Sequence, residues 1–229
     1  MGLSLQLTDV IMAVGGLGTA AMGVVDATKV FWGGVNHIGF STIRKRITAL
    51  TPGTPAAAGT ATNALSQNEI LGTLKANWFN GTDLSSQKAI AKSLIKLFLN
   101  PANAKSMANA TGVDSNTLEQ IAAKLESGQT LASNESDCYS RFDFILTALL
   151  DETYQRSDQI YRNSTRAWAV VASLVLSIAG AIAMDPANTG HNLGKAIVVG
   201  LLATPLAPVA KDLSTALATA VNTLQAGKK

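Results

Sequence analysis

Charge is what this sequence is short of. Lys, Arg, Asp and Glu make up 14% of its 229 residues, against roughly 25% in a soluble domain. Aromatics are scarce too, at 5%, and the basic residues are scattered apart from Arg44-Lys45-Arg46, so the basic and aromatic interleaving that binds nucleic acid is missing and no nucleic-acid partner is expected. A single cysteine, Cys138, excludes an internal disulfide. No CxxC and no His-rich cluster has metal-ligand spacing, and no cofactor or metal is expected.

The charge that is present is segregated. From Thr42 to Arg166 lie 13 of the 18 Lys and Arg and 11 of the 15 Asp and Glu. A polar middle between nearly uncharged ends is the pattern of terminal membrane segments. Ala167 to Met184 holds eighteen residues without a charge, inside the range of about 17 to 25 that spans a bilayer. Arg156, Arg162 and Arg166 precede it, Trp168 takes an interfacial place, and Asp185-Pro186 ends it. A second run, Ala196 to Ala210, contains Pro205 and Pro208. A span kinked at those prolines and packed against protein is predicted there.

The N-terminal run from Val10 to Val25 is uncharged, and apolar character continues past Asp26 and Lys29 to Phe40. "MGLSLQLTD" has no basic region of a signal peptide, and Gln6 stands where N-myristoylation wants Ser or Thr. Gly16, Ala20 and Gly23, and also Gly15, Gly18 and Ala21, place small side chains at helical spacing, which lets another helix approach closely. Asp26 and Lys29, three apart, can pair on one helix face at membrane depth.

Basic residues stay on the cytoplasmic side. Arg44-Lys45-Arg46, the arginines before Ala167, and Lys228-Lys229 therefore give three spans with the N-terminus outside, the middle inside and the C-terminus inside. Only Lys195 opposes this.

The pattern divides the chain into an N-terminal span over 1–41, a basic exit and flexible linker over 42–63, a helical bundle over 64–138, a stalk helix continuing into the second span over 139–184, and an outer turn, third span and amphipathic tail over 185–229. Within the middle, Ser66 and Glu69 form a capping box ahead of Ile70, Leu74 and Trp78. A helix over Leu84–Leu99 puts Ile90, Leu94, Leu97 and Phe98 on one face and Lys88, Lys92 and Lys96 on another. Asn116 and Glu119 repeat the capping spacing before Leu118, and Gly128 closes that helix. From Tyr139 no Gly or Pro occurs before Gly180, which predicts one long helix. The fold class is an all-α membrane protein: three transmembrane helices, a small cytoplasmic helical bundle, and a stalk of the kind that pairs with copies of itself.

Catalytic chemistry finds no support. Cys138 has no neighbouring histidine in this topology, where His37 and His191 fall at opposite membrane faces. Asp151-Glu152 reads as a solvated helix face, and "GGLG" at Gly15–Gly18 lacks the Lys and Ser/Thr of a phosphate loop. Sequons at Asn80, Asn109, Asn134 and Asn163 carry no meaning on a cytoplasmic side. An enzyme is not expected.

The order of an N-terminal span ending in "STIRKRI", a helical middle, then "RFDFILTALLDETYQRSDQIYRNSTRAWAVVASLVLSIAGAIAMD" and "GLLATPLAPVAKDL" resembles a family of uncharacterised bacterial membrane proteins. The shared pattern falls on Glu152, Arg156, Ser157, Tyr161 and Arg166, while an aromatic-rich segment of that family is replaced here by Ala207 to Asp212. The resemblance implies the bacterial inner membrane and no activity. The expected function is a membrane anchor or structural protein that forms a homo-oligomer in the lipid bilayer and recruits a cytoplasmic protein partner. The alternative is an oligomeric ion-conducting pore lined by polar residues of the spans.

Overall fold

The computed structural model describes residues 7–52 and 65–226. Most of the expected linker, Thr51–Asn63, lies outside the described residues, as do Gln6 and the Lys228-Lys229 tail. Among those described, the chain is all helix and turn: α1 (Leu7–Trp32), α2 (Asn36–Leu50), α3 (Gln67–Phe79), α4 (Leu84–Phe98), α5 (Pro101–Thr111), α6 (Ser115–Glu126), α7 (Ser133–Met184) and α8 (Thr189–Ala226). Three of these are long and apolar enough to cross a membrane: α1 over Val10–Trp32, α7, and α8 over Asn192–Leu213.

The chain forms two compact units. One is Asn36–Tyr161; the other combines α1 with the residues from Arg162 onward.

The first helix stops earlier than the expected boundary at 41. Gly33 and Gly34 take φ of 78° and 41°, a left-handed pair that a helix does not continue through. The amide of Gly33 donates to the Lys29 carbonyl and closes α1. The basic stretch Arg44–Arg46 then belongs to α2, a helix of the Asn36–Tyr161 unit, where Arg44 and Lys45 are exposed and Arg46 half-buried. Its buried residues Phe40, Ile43, Ile47 and Leu50 follow a helical stripe into the core.

The Ser66–Glu69 capping box forms as the spacing predicts, with Ser66 N donating to the Glu69 carboxylate at 2.8 Å and Glu69 N to Ser66 Oγ at 3.2 Å. Two other expectations are corrected. Asp114, not Asn116, caps α6, because its carboxylate reaches Thr117 N at 2.7 Å. Asn100-Pro101 does end α4, but it also starts α5: Asn100 Oδ1 accepts from Ala102 N and Asn103 N, and Pro101 sits in the first turn, where a missing N–H costs nothing.

On α4 the buried face is Gln87, Ala91, Ile95 and Phe98, while Leu97 is 72% exposed. Lys88, Lys92 and Lys96 turn toward α7. Lys88 Nζ lies 2.5 Å from Asp151, and Lys92 and Lys96 lie 2.6 and 3.0 Å from the two oxygens of Asp143. The expected stalk is therefore no free rod over its first half. Phe142, Leu146, Leu150 and Tyr154 of α7 are core residues of this unit, each contributing about 1.5–3 kcal/mol by burial.

In the other unit, α7 and α8 form an antiparallel hairpin. Ser173 Oγ donates to Gly200 O and Ser177 Oγ to Ala196 O, both at 2.7 Å. The helix of α8 continues through Pro205 and Pro208 without a break between Thr189 and Ala226. Both prolines lie on its exposed side. The buried side carries Ala203, Ala207 and Ala210, and α1 packs there through Gly15 and Gly18. A Cβ on Gly15 would fall 2.1 Å from Ala210 Cβ, and one on Gly18 would fall 2.0 Å from the Ala203 carbonyl oxygen.

That seam runs in opposite chain directions: a step forward from Gly15 to Gly18 moves back along α8 from Ala210 to Ala203. Spans crossing alternately would place α1 and α8 in the same direction. Small residues three or four apart permit a close approach whichever way two helices run, so the sequence pattern carries the spacing and not the sense.

Gly18→Ala should lower the thermal midpoint of the purified protein in detergent, by the ~1–3 kcal/mol typical of overpacking, because the new methyl meets backbone. Gly16→Ala, whose Cβ meets nothing within 4 Å, should leave the midpoint unchanged or raise it. Equal midpoints for the two variants would remove the α1–α8 seam.

Candidate functional site

The residues singled out in the first span separate in the structure. Gly15, Gly18 and Ala21 are buried against α8. Gly16, Ala20 and Gly23 share the open side of α1, where added Cβ atoms on the two glycines would have empty space. Asp26 and Lys29 pair as their spacing allows, at 2.6 Å, with the Asp26 side chain 65% exposed and that of Lys29 21% exposed. Val30, Phe31 and Trp32 follow with large exposed surfaces.

Among the described residues, Cys138 and His37 stand apart from each other. Cys138 is half-buried; burial, reinforced by the Asp114 charge, pushes its thiol upward, away from the thiolate that reacts. His37 packs edge-on to Phe79, with ring centroids 4.9 Å apart. Among the described residues, no three His, Cys, Asp or Glu come together as a metal would require. Asp151 and Glu152 diverge as neighbours on a helix must: Asp151 takes Lys88, and Glu152 faces Arg46 at 3.4 Å and Arg156 at 3.9 Å.

Two polar features were missed by the sequence reading. One is the α4–α7 ladder already described, in which Lys92 also reaches Thr147 Oγ1 at 3.0 Å. A signal existed: Lys88, Lys92 and Lys96 are spaced by four, and so are Asp143, Thr147 and Asp151, two stripes that match when helices run antiparallel. The other is a groove of about 510 Å³ between α2 and α7, lined by Ser41, Thr42, Lys45, Arg46 and Ala49 on one wall and Glu152, Thr153, Arg156 and Ile160 on the other. Gly39 against Tyr161 and Arg46 against Thr153 fix its register. A Cβ on Gly39 would fall 3.0 Å from Tyr161 Cβ, and Arg46 Nε donates to Thr153 Oγ1 at 3.3 Å. Nothing local in the sequence announces this groove, since its walls are separated by about a hundred residues.

The ladder shares the acid response of this unit with Glu69, Asp83 and Asp114, whose hydrogen bonds at helix starts also hold their carboxyls low. Burial works against the Asp143 carboxylate, but hydrogen bonds from Lys92 and Lys96 outweigh it and hold its pKa below the ordinary range. Hydrogen bonds from Lys124 and from the Ala132 amide do the same for Glu135. Depressed carboxylates contribute stability that is complete above their unfolded pKa, about 4, and is lost as pH falls through the lower folded values. The thermal midpoint of the helical signal should be flat from pH 7 to about 5 and fall below about pH 4, with a shallower fall in Asp143→Asn. An acid-independent midpoint would dismiss the ladder.

Comparison with protein families, with curated proteins and with solved structures finds no match to this chain.

Proposed function

We propose that this protein is a multi-pass membrane anchor: its spans assemble copies of the chain in the bacterial inner membrane, and its helical Asn36–Tyr161 unit recruits a protein partner on the cytoplasmic side. The observation that carries this reading is the division of labour between the units. One supplies three helices with outward apolar side chains, among them Val171, Val175, Val198 and Leu201. The other has its own core, built on Phe40, Leu74, Ile95 and Phe142, and the chain gives no assembled catalytic constellation among the described residues. The open side of α1, with Gly16, Ala20 and Gly23, suits a helix of a second copy. Asp26 and Lys29 spend their charge on each other at 2.6 Å, which favours an anchor over an ion path.

The proposed orientation places the N-terminus and the turn before α8 outside. Arg44–Arg46 and Arg162–Arg166 support it by the retention of basic residues. The opposed sense of the α1–α8 seam counts against it for α1. Single cysteines at Ser4 and Asn188, in a Cys138→Ser background, decide the matter: both should react with a membrane-impermeant maleimide added to intact cells. Reaction at position 188 alone would mean that the seam, and not the basic cluster, sets the direction of α1.

Assembly has a separate test. Gly16→Leu with Ala20→Leu should shift the protein in mild detergent to a smaller species, while its thermal midpoint stays near that of the wild type. An unchanged elution volume would take the first span out of any oligomer interface.

A further inference from the structure

We infer that the groove between α2 and α7 is a phosphate site, and that its ligand is the headgroup of an anionic phospholipid. Three cations, Lys45, Arg46 and Arg156, line it against one carboxylate, Glu152. That carboxylate stands between the two guanidiniums, at 3.4 Å from Arg46 and 3.9 Å from Arg156. It neutralises part of their charge and holds one from each helix at the groove. Thr153 fixes Arg46 further: its hydroxyl gives its proton to the Leu149 carbonyl at 2.6 Å and so receives the Arg46 Nε–H. The fork of Arg46 is positioned before any ligand arrives, with N–H groups left over. Lys45 is exposed, with no carboxylate within ion-pair distance among the described residues.

Planar guanidinium forks and hydroxyl donors are the groups that recognise phosphate oxygens. Thr42 supplies a hydroxyl on the α2 wall, beside Ser41, whose hydroxyl gives its proton to the Ile38 carbonyl at 2.6 Å. A volume of about 510 Å³ admits more than a bare ion; it is in the range of sites for whole small molecules, about 300–1,000 Å³.

The source of the phosphate follows from where the groove lies along the chain, and this step alone rests on the membrane reading. Ile160 precedes the uncharged run at Ala167 by two turns of the same continuous helix, about 10 Å. Basic residues clustered next to a membrane-spanning run of the same helix attract anionic phospholipid headgroups.

The test uses the full chain in neutral detergent, with a short-chain phosphatidylglycerol, the matching phosphatidylcholine and inorganic phosphate as probes, read by native mass spectrometry and by thermal shift. Phosphatidylglycerol should remain bound and raise the midpoint, phosphatidylcholine should not, and millimolar inorganic phosphate should compete weakly. Lys45→Gln with Arg156→Gln should weaken the anionic lipid by about 25-fold, taking about fivefold for each cation, and Lys45→Arg should restore its share. Both side chains are exposed, so the double variant should melt like the wild type without lipid, and Lys75→Gln with Lys105→Gln should bind as the wild type does. Equal retention of the two lipids, or full binding by the double variant, overturns the site. Inorganic phosphate protecting as well as the lipid overturns the lipid as its source. Release of the chain from membranes by alkaline carbonate would instead defeat the membrane reading, and would be seen apart from either result.

Discussion

Everything in this protein passes through one uninterrupted backbone. α7 runs 52 residues from Ser133 to Met184, about 78 Å at the helical rise, and it serves two environments in turn. Up to Tyr161 its side chains bury themselves among five other helices and accept lysines; from Arg162 it belongs to the unit with the candidate spans. Because the helix does not break, the change is made by side chains alone. Tyr161 still stacks edge-on to Trp78, with centroids 6.0 Å apart, and six residues later the uncharged run begins.

Part of the charge in the middle of the chain serves this sharing. The α4–α7 ladder joins Lys88, Lys92 and Lys96 to Asp143 and Asp151 with all five side chains only partly exposed. Pairs of this kind are worth little singly, ~0.2–1 kcal/mol when exposed. Their larger role is register. Shifting the register of α4 against α7 by one residue would put Gln87, Ala91 and Ile95, or Ala89, Ser93 and Leu97, at the lysines' places, none of them a cation, while Ala91, Ile95 and Phe98 would leave the core.

What was legible in the sequence was local. The Ser66–Glu69 box, the Gly128 stop and the absence of Gly and Pro from Tyr139 to Gly180 each act within a turn or two of helix, and the structure has a helix start, a stop and a continuous helix there. What was not legible depends on residues far apart. Periodicity groups Leu97 with Ile90, Leu94 and Phe98 on one face and cannot tell which of two adjacent stripes is buried; the buried stripe is Gln87, Ala91, Ile95 and Phe98. The helix over Pro101–Thr111 was overlooked because Asn-Pro signals an end and a beginning alike. Gly33-Gly34 falls inside the expected span over 1–41 because apolar character continues through it, yet its left-handed backbone turns the chain. The groove walls at Ser41–Ala49 and Glu152–Ile160 come together only through the packing of α2 on α7.

The serines of the α7–α8 hairpin bear on how such a chain is made. Ser173 and Ser177 donate across to α8, but each also has an acceptor in its own helix, Val170 O at 2.9 Å and Leu174 O at 3.0 Å. A hydroxyl with an acceptor one turn back enters hydrocarbon already satisfied. A helix with such serines has no need of a partner helix to satisfy them, and when α8 packs on it the hydroxyls exchange one carbonyl for another at little gain. The driving force for closing the hairpin then falls to shape, and to one residue in particular: at Gly200 any side chain would strike the Leu174 backbone at 2.8 Å.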